Sequence, residues 1–186
     1  MTESFPPLLL VSGAPASGKT RLSRRLSAAY TLPLLARDAY KELLFDALGS
    51  PDRAASHTLG VAAYALLYAS IGWLLDAGVG VVVDSNFHRG SSEESLAPLI
   101  ARSRTVLLHC ETTQEERASR HIDRAVRGDR HPGHHDGVMP KEVQANVEAG
   151  IFDPLDLDIP LLRIDTTRSY APPLTAIVHF IDDALR

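Results

Sequence analysis

Apolar runs and polar punctuation alternate along this chain with two periods. Residues 8–11 are four consecutive apolar side chains, a run that reads as a strand buried on both faces. After a small-residue loop, a helix starts near Gly18. Leu22, Leu26 and Ala29 share one face of it, and Arg21, Arg24 and Arg25 lie mostly on the other. Residues 33–36 form a second, short apolar strand. Residues 39–48 resume helical spacing, with Leu43, Leu44 and Leu48 expected inward and Lys41 and Glu42 outward, until Gly49, Ser50 and Pro51 break the pattern. A long apolar helix is expected over residues 54–77, stopped at Gly78. Residues 79–83 are β-branched apart from Gly80 and end at Asp84, the pattern of a buried parallel strand with a polar exit.

The second half repeats the alternation. Ser91 and Ser92 precede Glu93 and Glu94, an acidic first turn that suits a helix start. Residues 105–109 read as a strand, and Thr112 and Thr113 with Glu115 and Glu116 cap a helix carrying an arginine series. Pro132 and Gly133 interrupt that helix, Pro140 starts another, residues 161–164 make a fifth strand and residues 174–185 a closing amphipathic helix. Strands alternating with helices specify an α/β fold, a five-stranded parallel sheet with right-handed crossovers. Ligands of such sheets bind at the carboxyl ends of the strands. The exits here are polar: Gly13 with its loop, Arg37-Asp38, Asp84-Ser85-Asn86, Glu111 and Asp165-Thr166.

Composition narrows the class. The chain has 186 residues, 45% of them hydrophobic, enough for one sheet covered by helices. No internal repeat or linker divides it, so residues 1–186 are expected to form a single domain. Cys110 is the only cysteine, which excludes an intramolecular disulfide. The first seven residues have no basic and apolar leader pattern, and a cytoplasmic location is expected. Residues 58–75 carry no Lys, Arg, Asp or Glu but include Gly60, Ser70 and Gly72; a buried helix is expected there, and no membrane partner. The net charge of −4 argues against a general nucleic-acid binder.

The residues that carry chemistry begin at the first strand exit. Gly13, Ala14, Pro15, Ala16, Ser17, Gly18, Lys19 and Thr20 fit the G-x-x-x-x-G-K-[ST] phosphate-binding loop. Its glycines and small residues let backbone N–H groups converge on phosphate oxygens. Lys19 is placed to reach the β- and γ-phosphates and the Thr20 hydroxyl to ligate Mg²⁺, with the positive end of the following helix beneath them. Asp84 has the form of a second metal ligand at a strand exit. Asp38 is either a proton acceptor for a substrate hydroxyl or the N-cap of the next helix.

Arg117, Arg120, Arg124, Arg127 and Arg130 recur along one helical stripe. Phosphoryl transfer needs cations over the developing charge, and Arg120 and Arg124 are the candidates, the rest reading as surface. The segment HPGHHD, with His131, His134, His135 and Asp136, lacks the spacing of a zinc site and reads as a lid element touching substrate or nucleotide. Trp73 and the Tyr64/Tyr68 pair, at helical spacing, read as core.

The order of these parts resembles the P-loop kinase superfamily, AAA-type ATP-binding proteins that group with adenylate kinase, gluconate kinase, chloramphenicol phosphotransferase and the kinase domain of bacterial polynucleotide kinases. GAPASGKT matches the phosphate loop, ARDAYKELL resembles the segment carrying the catalytic Asp, VVVDSNF is similar to the third-strand motif, and ERASRHIDRAVR to the arginine-bearing lid. The resemblance implies a three-layer P-loop NTPase fold with a helical lid at about residues 113–140, ATP and Mg²⁺ as cofactors, Asp38 as general base, and Lys41 and Asn86 beside it at the substrate. Lys41 stands where polynucleotide kinases carry an arginine on the substrate phosphate. A lysine cannot make the bidentate contact, which favours a hydroxylated small molecule as acceptor. A 5′-hydroxyl polynucleotide kinase and a non-catalytic nucleotide sensor or regulatory ATPase are the alternatives. Lys19→Ala is expected to abolish ATP turnover in a coupled ADP-release assay while leaving the circular dichroism spectrum unchanged; retained turnover would refute the phosphate-loop assignment.

Overall fold

In a computed structural model, residues 5–49, 52–127, 131 and 141–186 are described, without the side chains of 124–127, 141 and 142. The elements run β1 (Pro7–Ser12), α1 (Lys19–Tyr30), β2 (Leu34–Ala36), α2 (Arg37–Leu48), α3 (Arg53–Asp76), β3 (Val81–Asp84), α4 (Ser92–Ile100), β4 (Arg104–Glu111), α5 (Gln114–Arg127), α6 (Lys141–Glu148), β5 (Leu161–Asp165) and α7 (Leu174–Ala184). The strands form one sheet in the order β2-β3-β1-β4-β5, every pair parallel. The expected α/β architecture with a five-stranded parallel sheet is therefore the observed one.

Side-chain alternation along β1 divides the core. Leu8 and Leu10 point to one face, where they meet Val81, Val83 and Leu107 of the sheet, Leu67, Ile71 and Leu75 of α3 and Leu96 and Leu99 of α4. Leu9 and Val11 point to the other, against Leu22 and Leu26 of α1 and Ile177 and Ile181 of α7. Helices on both faces bury the middle of β1, and Leu8, Leu9, Leu10 and Val11 are all fully buried. Each such side chain contributes roughly 1.5–3 kcal/mol of transfer free energy. The central strand is thus held rigidly at the point where its loop begins.

Two helices differ in phase or depth from the sequence expectation. On α2, Leu43 and Leu48 are 66% and 70% exposed while Lys41 and Phe45 are buried. Apolar residues at 43, 44, 45, 47 and 48 leave the helical phase ambiguous, and packing of α2 against α3 selects the Lys41/Phe45 side. On α3 only one face is buried, and Trp73, expected in the core, is 67% exposed. This helix is long and apolar enough to cross a membrane, yet its Leu67, Ile71 and Leu75 face is committed to the sheet. The Asp52 carboxylate caps it, accepting the Ala55 N–H at 2.8 Å. Asp38 does not cap α2: Ala36 occupies that position, and Asp38 sits within the first turn, where a carboxylate meets the positive helix end.

Two glycines test this packing. A Cβ on Gly80, just before β3, would lie 2.4 Å from the Pro7 ring and 2.9 Å from its carbonyl oxygen, whereas one on Gly72 within α3 would meet the Arg102 guanidinium at 2.9 Å. Arg102 is 42% exposed and able to swing away, while the Pro7 backbone is not. Gly80→Ala is expected to cost on the order of 1–3 kcal/mol by urea denaturation. Gly72→Ala should lie near neutral, since about 1 kcal/mol of helix propensity offsets the contact. Equal midpoints for the two variants would contradict this account.

Candidate active site

The phosphate loop leaves β1 under tight steric constraint. At Gly13, with φ +134°, a Cβ would stand 2.2 Å from the Cys110 carbonyl oxygen of β4. Gly18 takes φ +88° at the N-terminus of α1, and a Cβ there would lie 3.2 Å from Thr166 Oγ1. Between them Ala16 also adopts a left-handed φ of 63°, a conformation that costs an alanine on the order of 1 kcal/mol. The Ser17 N–H donates to the Ala14 carbonyl at 3.1 Å. Lys19 is 7% exposed and its Nζ donates to the Ala14 carbonyl at 2.8 Å, so the ammonium lies folded over the loop. The Ser17 hydroxyl is buried without a hydrogen-bond partner. Thr20 is exposed on the first turn of α1.

Strand register brings the other exits alongside. Asp84 is level with Val11 of β1 on one side and Ala36 of β2 on the other. It is 7% exposed. A largely buried carboxylate beside a hydroxyl-bearing phosphate loop is a donor set that suits Mg²⁺, a hard oxygen-seeking cation. Asp38 lies two residues beyond the same row, its carboxylate 55% exposed and 2.9 Å from Arg37 Nη1. The Asn86 carbonyl accepts the Tyr64 hydroxyl at 2.7 Å, tying the loop after β3 to α3. Lys41, expected outward, is 9% exposed and its Nζ donates to Ser56 Oγ at 3.0 Å.

The arginine helix sorts into separate environments. Thr113 caps α5, accepting the Glu116 N–H at 3.3 Å. Arg120 pairs with Glu116 at 2.8 Å and donates to the Ala16 carbonyl of the phosphate loop at 3.2 Å. Its other amino group donates to the Thr166 carbonyl, beyond β5. Arg117, expected on the surface, is 8% exposed, since it turns back to the Thr112 carbonyl at 3.2 Å, and burial holds its pKa down. The side chain of Arg124 and the residues His134, His135 and Asp136 lie outside the described part of the structure. His131 stacks on Phe45 and is 3.0 Å from Asp46 Oδ1. Among the described residues no group of three or more His, Cys, Asp or Glu gathers as a metal site would.

A cavity of about 490 Å³ opens beside the loop, walled by Gly18, Arg21, Arg25, Arg120, Thr167 and Tyr170 among others. Sequence reasoning marked Gly18, Arg120 and the Thr166 exit of this wall. It did not mark Arg25 and Tyr170, which come from opposite ends of the chain; no local pattern pairs them, and the Tyr170 ring lies 5.5 Å from the Arg25 guanidinium. Thr166 anchors the wall, with its hydroxyl 2.7 Å from the Ser17 carbonyl and its N–H donating to the Glu111 carbonyl at 2.8 Å. Burial pushes the Cys110 thiol up to about 12, so it stays protonated and is no nucleophile.

A family described as an AAA domain matches residues 8–139. The chain belongs to this family, within the P-loop kinase superfamily. A solved structure of a Chloroflexus aurantiacus J-10-fl protein, provisionally described as a kinase, is 34% identical over 98% of this chain and 100% of its own, with a TM-score of 0.87. A Sinorhizobium meliloti 1021 gluconokinase is 20% identical over 97% of this chain and 92% of its own, with a TM-score of 0.56. The Mycobacterium tuberculosis APS kinase CysC, in complex with AMPPNP and APS, is 17% identical over 95% and 98%, with a TM-score of 0.55. At such identities the last two share the fold alone. No curated protein matches the sequence.

One electrostatic feature at the base of this P-loop site is open to measurement. His109, at the β4 exit, is 4% exposed and its Nδ1 shares a 2.8 Å hydrogen bond with Ser12 Oγ. Burial, with Arg163 and Lys19 adding to it, lowers the imidazole from 6.5 to about 4. Between those values the unfolded chain binds a proton that the folded chain does not, so stability falls as the pH drops from 6.5 towards 4. The contribution is at most about 3 kcal/mol. His109→Asn is expected to flatten the acid limb of a stability–pH profile by that order; an unchanged slope would show that His109 titrates normally.

Proposed function

We propose that the chain is an ATP-dependent phosphotransferase that delivers the γ-phosphoryl group to an alcohol hydroxyl of a small molecule. One observation carries this reading. Ala36, Asp84 and Val11 share a row of the sheet, so a phosphate loop, a buried carboxylate and Asp38 all leave that edge within two residues of each other. Family membership implies ATP use, and Mg²⁺ is its usual companion.

When bound, Mg-ATP supplies a phosphoryl donor with part of its charge neutralised. The loop amides from Ala14 to Thr20 hold the phosphates, and Lys19 exchanges its carbonyl contact for phosphate oxygens. Thr20 and Asp84 provide the oxygen ligands for the metal. The cavity walled by Arg25, Arg120 and Tyr170 takes the nucleoside end, being of the size typical for such ligands. Asp38 orients the acceptor hydroxyl and takes its proton as the oxygen–phosphorus bond forms and the bond to the β–γ bridging oxygen breaks, releasing ADP. Arg124, from a lid of about residues 113–140 on a single kinase domain, supplies charge over the transferring group, with Arg120 holding its base.

The test is an ATP-consumption screen against hydroxylated small molecules and a 5′-hydroxyl oligonucleotide. Asp38→Asn is expected to lower kcat by about two to four orders of magnitude with KM for ATP little changed. An unchanged kcat would remove Asp38 from the chemistry, and transfer only to the oligonucleotide would replace the small-molecule reading.

A further inference from the structure

The cavity beside the phosphate loop is more cationic than a nucleoside requires. Its wall holds four guanidinium groups, those of Arg21, Arg25, Arg120 and Arg168, and one carboxylate, Glu116, in a chain whose net charge is −4. Glu116 is committed to Arg120 at 2.8 Å. Among the described residues no carboxylate pairs with Arg21, Arg25 or Arg168. Three positive charges thus line one cavity with no protein counter-charge.

Their places follow from local structure. Arg21 and Arg25 are four residues apart on α1, so they stand on one side of the helix, about 6 Å apart along its axis. Arg168 arrives from the loop after β5, two residues beyond Thr166, whose hydroxyl is fixed on the Ser17 carbonyl at 2.7 Å. Tyr170 completes the wall with its ring centre 5.5 Å from the Arg25 guanidinium. Its hydroxyl is buried without a hydrogen-bond partner. Burial raises the phenol's pKa while Arg25, Arg21 and Arg120 oppose that rise, so the hydroxyl stays a neutral donor among cations.

An adenosine uses little of this. Its base stacks on a guanidinium plane or an aromatic ring, but it brings no negative charge to the three arginines. Arg25 lies seven residues beyond Gly18, about 10 Å farther along the axis of α1, on the side where sugar and base extend when the phosphates lie in the loop. We infer that this cavity recognises nucleotides carrying a further phosphate on the ribose, with Arg21, Arg25 and Arg168 around that phosphate and the Tyr170 hydroxyl donating to it. This rests on the reading that seats the nucleoside end here. Planar guanidinium forks match phosphate oxygens, and about 490 Å³ leaves room for the group. Such a nucleotide occupies the loop with its 5′-phosphate and binds in competition with ATP.

The test compares the affinities of AMP, adenosine 2′,5′-bisphosphate and adenosine 3′,5′-bisphosphate by isothermal titration calorimetry, with inorganic phosphate titrated into ADP-saturated protein as the free-anion arm. One bisphosphate should bind about 10-fold or more tighter than AMP at low salt, the range of one charge-assisted contact, and the better isomer identifies the ribose position. High salt should shrink that ratio, because exposed guanidinium groups are screened. Arg21→Gln, Arg25→Gln and Arg168→Gln should each lower it several-fold, Tyr170→Phe should lower it less, and Arg25→Lys should keep part of it. The ratio compares two ligands on one variant, so partial misfolding, which reduces the number of sites, does not imitate the effect. Equal affinities for all three nucleotides, or a preference that survives all three Gln variants, overturns the inference. So does bisphosphate binding undiminished by saturating ATP, or phosphate binding to the ADP-saturated protein that the Gln variants abolish, which would make the site one for a free anion. The measurement needs no phosphoryl transfer: absence of turnover with every acceptor removes the phosphotransferase reading alone, and absence of binding by any adenine nucleotide removes both.

Discussion

At Gly13 the loop backbone passes so close to the Cys110 carbonyl that a methyl group has no place to go. That contact fixes the first residue of the loop against the neighbouring strand, and the rest of the site is arranged around it. Thr166 then binds the loop from the far side through Ser17, and Arg120 spans from Ala16 to the Thr166 carbonyl. Three segments distant in sequence thereby hold one short loop whose own geometry is strained at Ala16. Strain of this kind persists only where surrounding contacts over-determine it.

Charge is distributed unevenly about that loop. On the β4–β5 side Arg120 and Arg117 reach backbone carbonyls, Arg120 those of Ala16 and Thr166 besides the Glu116 carboxylate, and Arg117 that of Thr112. On the β2–β3 side the cations are engaged with side chains at a helix–helix contact, where Arg37 and Lys41 take places that leucines would fill in an ordinary amphipathic pair. Burying a charge costs several kcal/mol unless it is paired or hydrogen-bonded. Arg37 meets that condition through Asp38 and the Tyr64 ring, and Lys41 through Ser56 and the Phe45 ring.

The fold was largely legible along the chain because its signals are local. Four apolar residues before a glycine-rich loop, β-branched residues 81–83 before Asp84, and a capped start at Thr113 each specify their element without reference to the others. The same holds for the phosphate loop. What failed was phase and depth. Around residues 43–48 apolar side chains occupy almost every helical direction, so periodicity alone selects no face. Trp73 is apolar and correctly spaced, yet it projects from the side of α3 that no strand covers. Arg117 reads as one member of an exposed stripe, but the turn back to Thr112 draws it inside.

The amino-acid sequence by itself determined the strand–helix alternation, the parallel sheet, and the loop that marks the chain as a P-loop protein. These follow from short-range sterics and from the periodicities of 2 and 3.6 residues, which are present in any stretch long enough to show them. Only the tertiary structure decided which polar residues meet. Sheet order 2-3-1-4-5 sets Asp84 level with Ala36 and Val11. Helix packing turns Lys41 inward, and chain closure brings Tyr170 to Arg25. Such pairings join residues far apart along the chain, and no local pattern encodes a contact whose two halves are fixed independently.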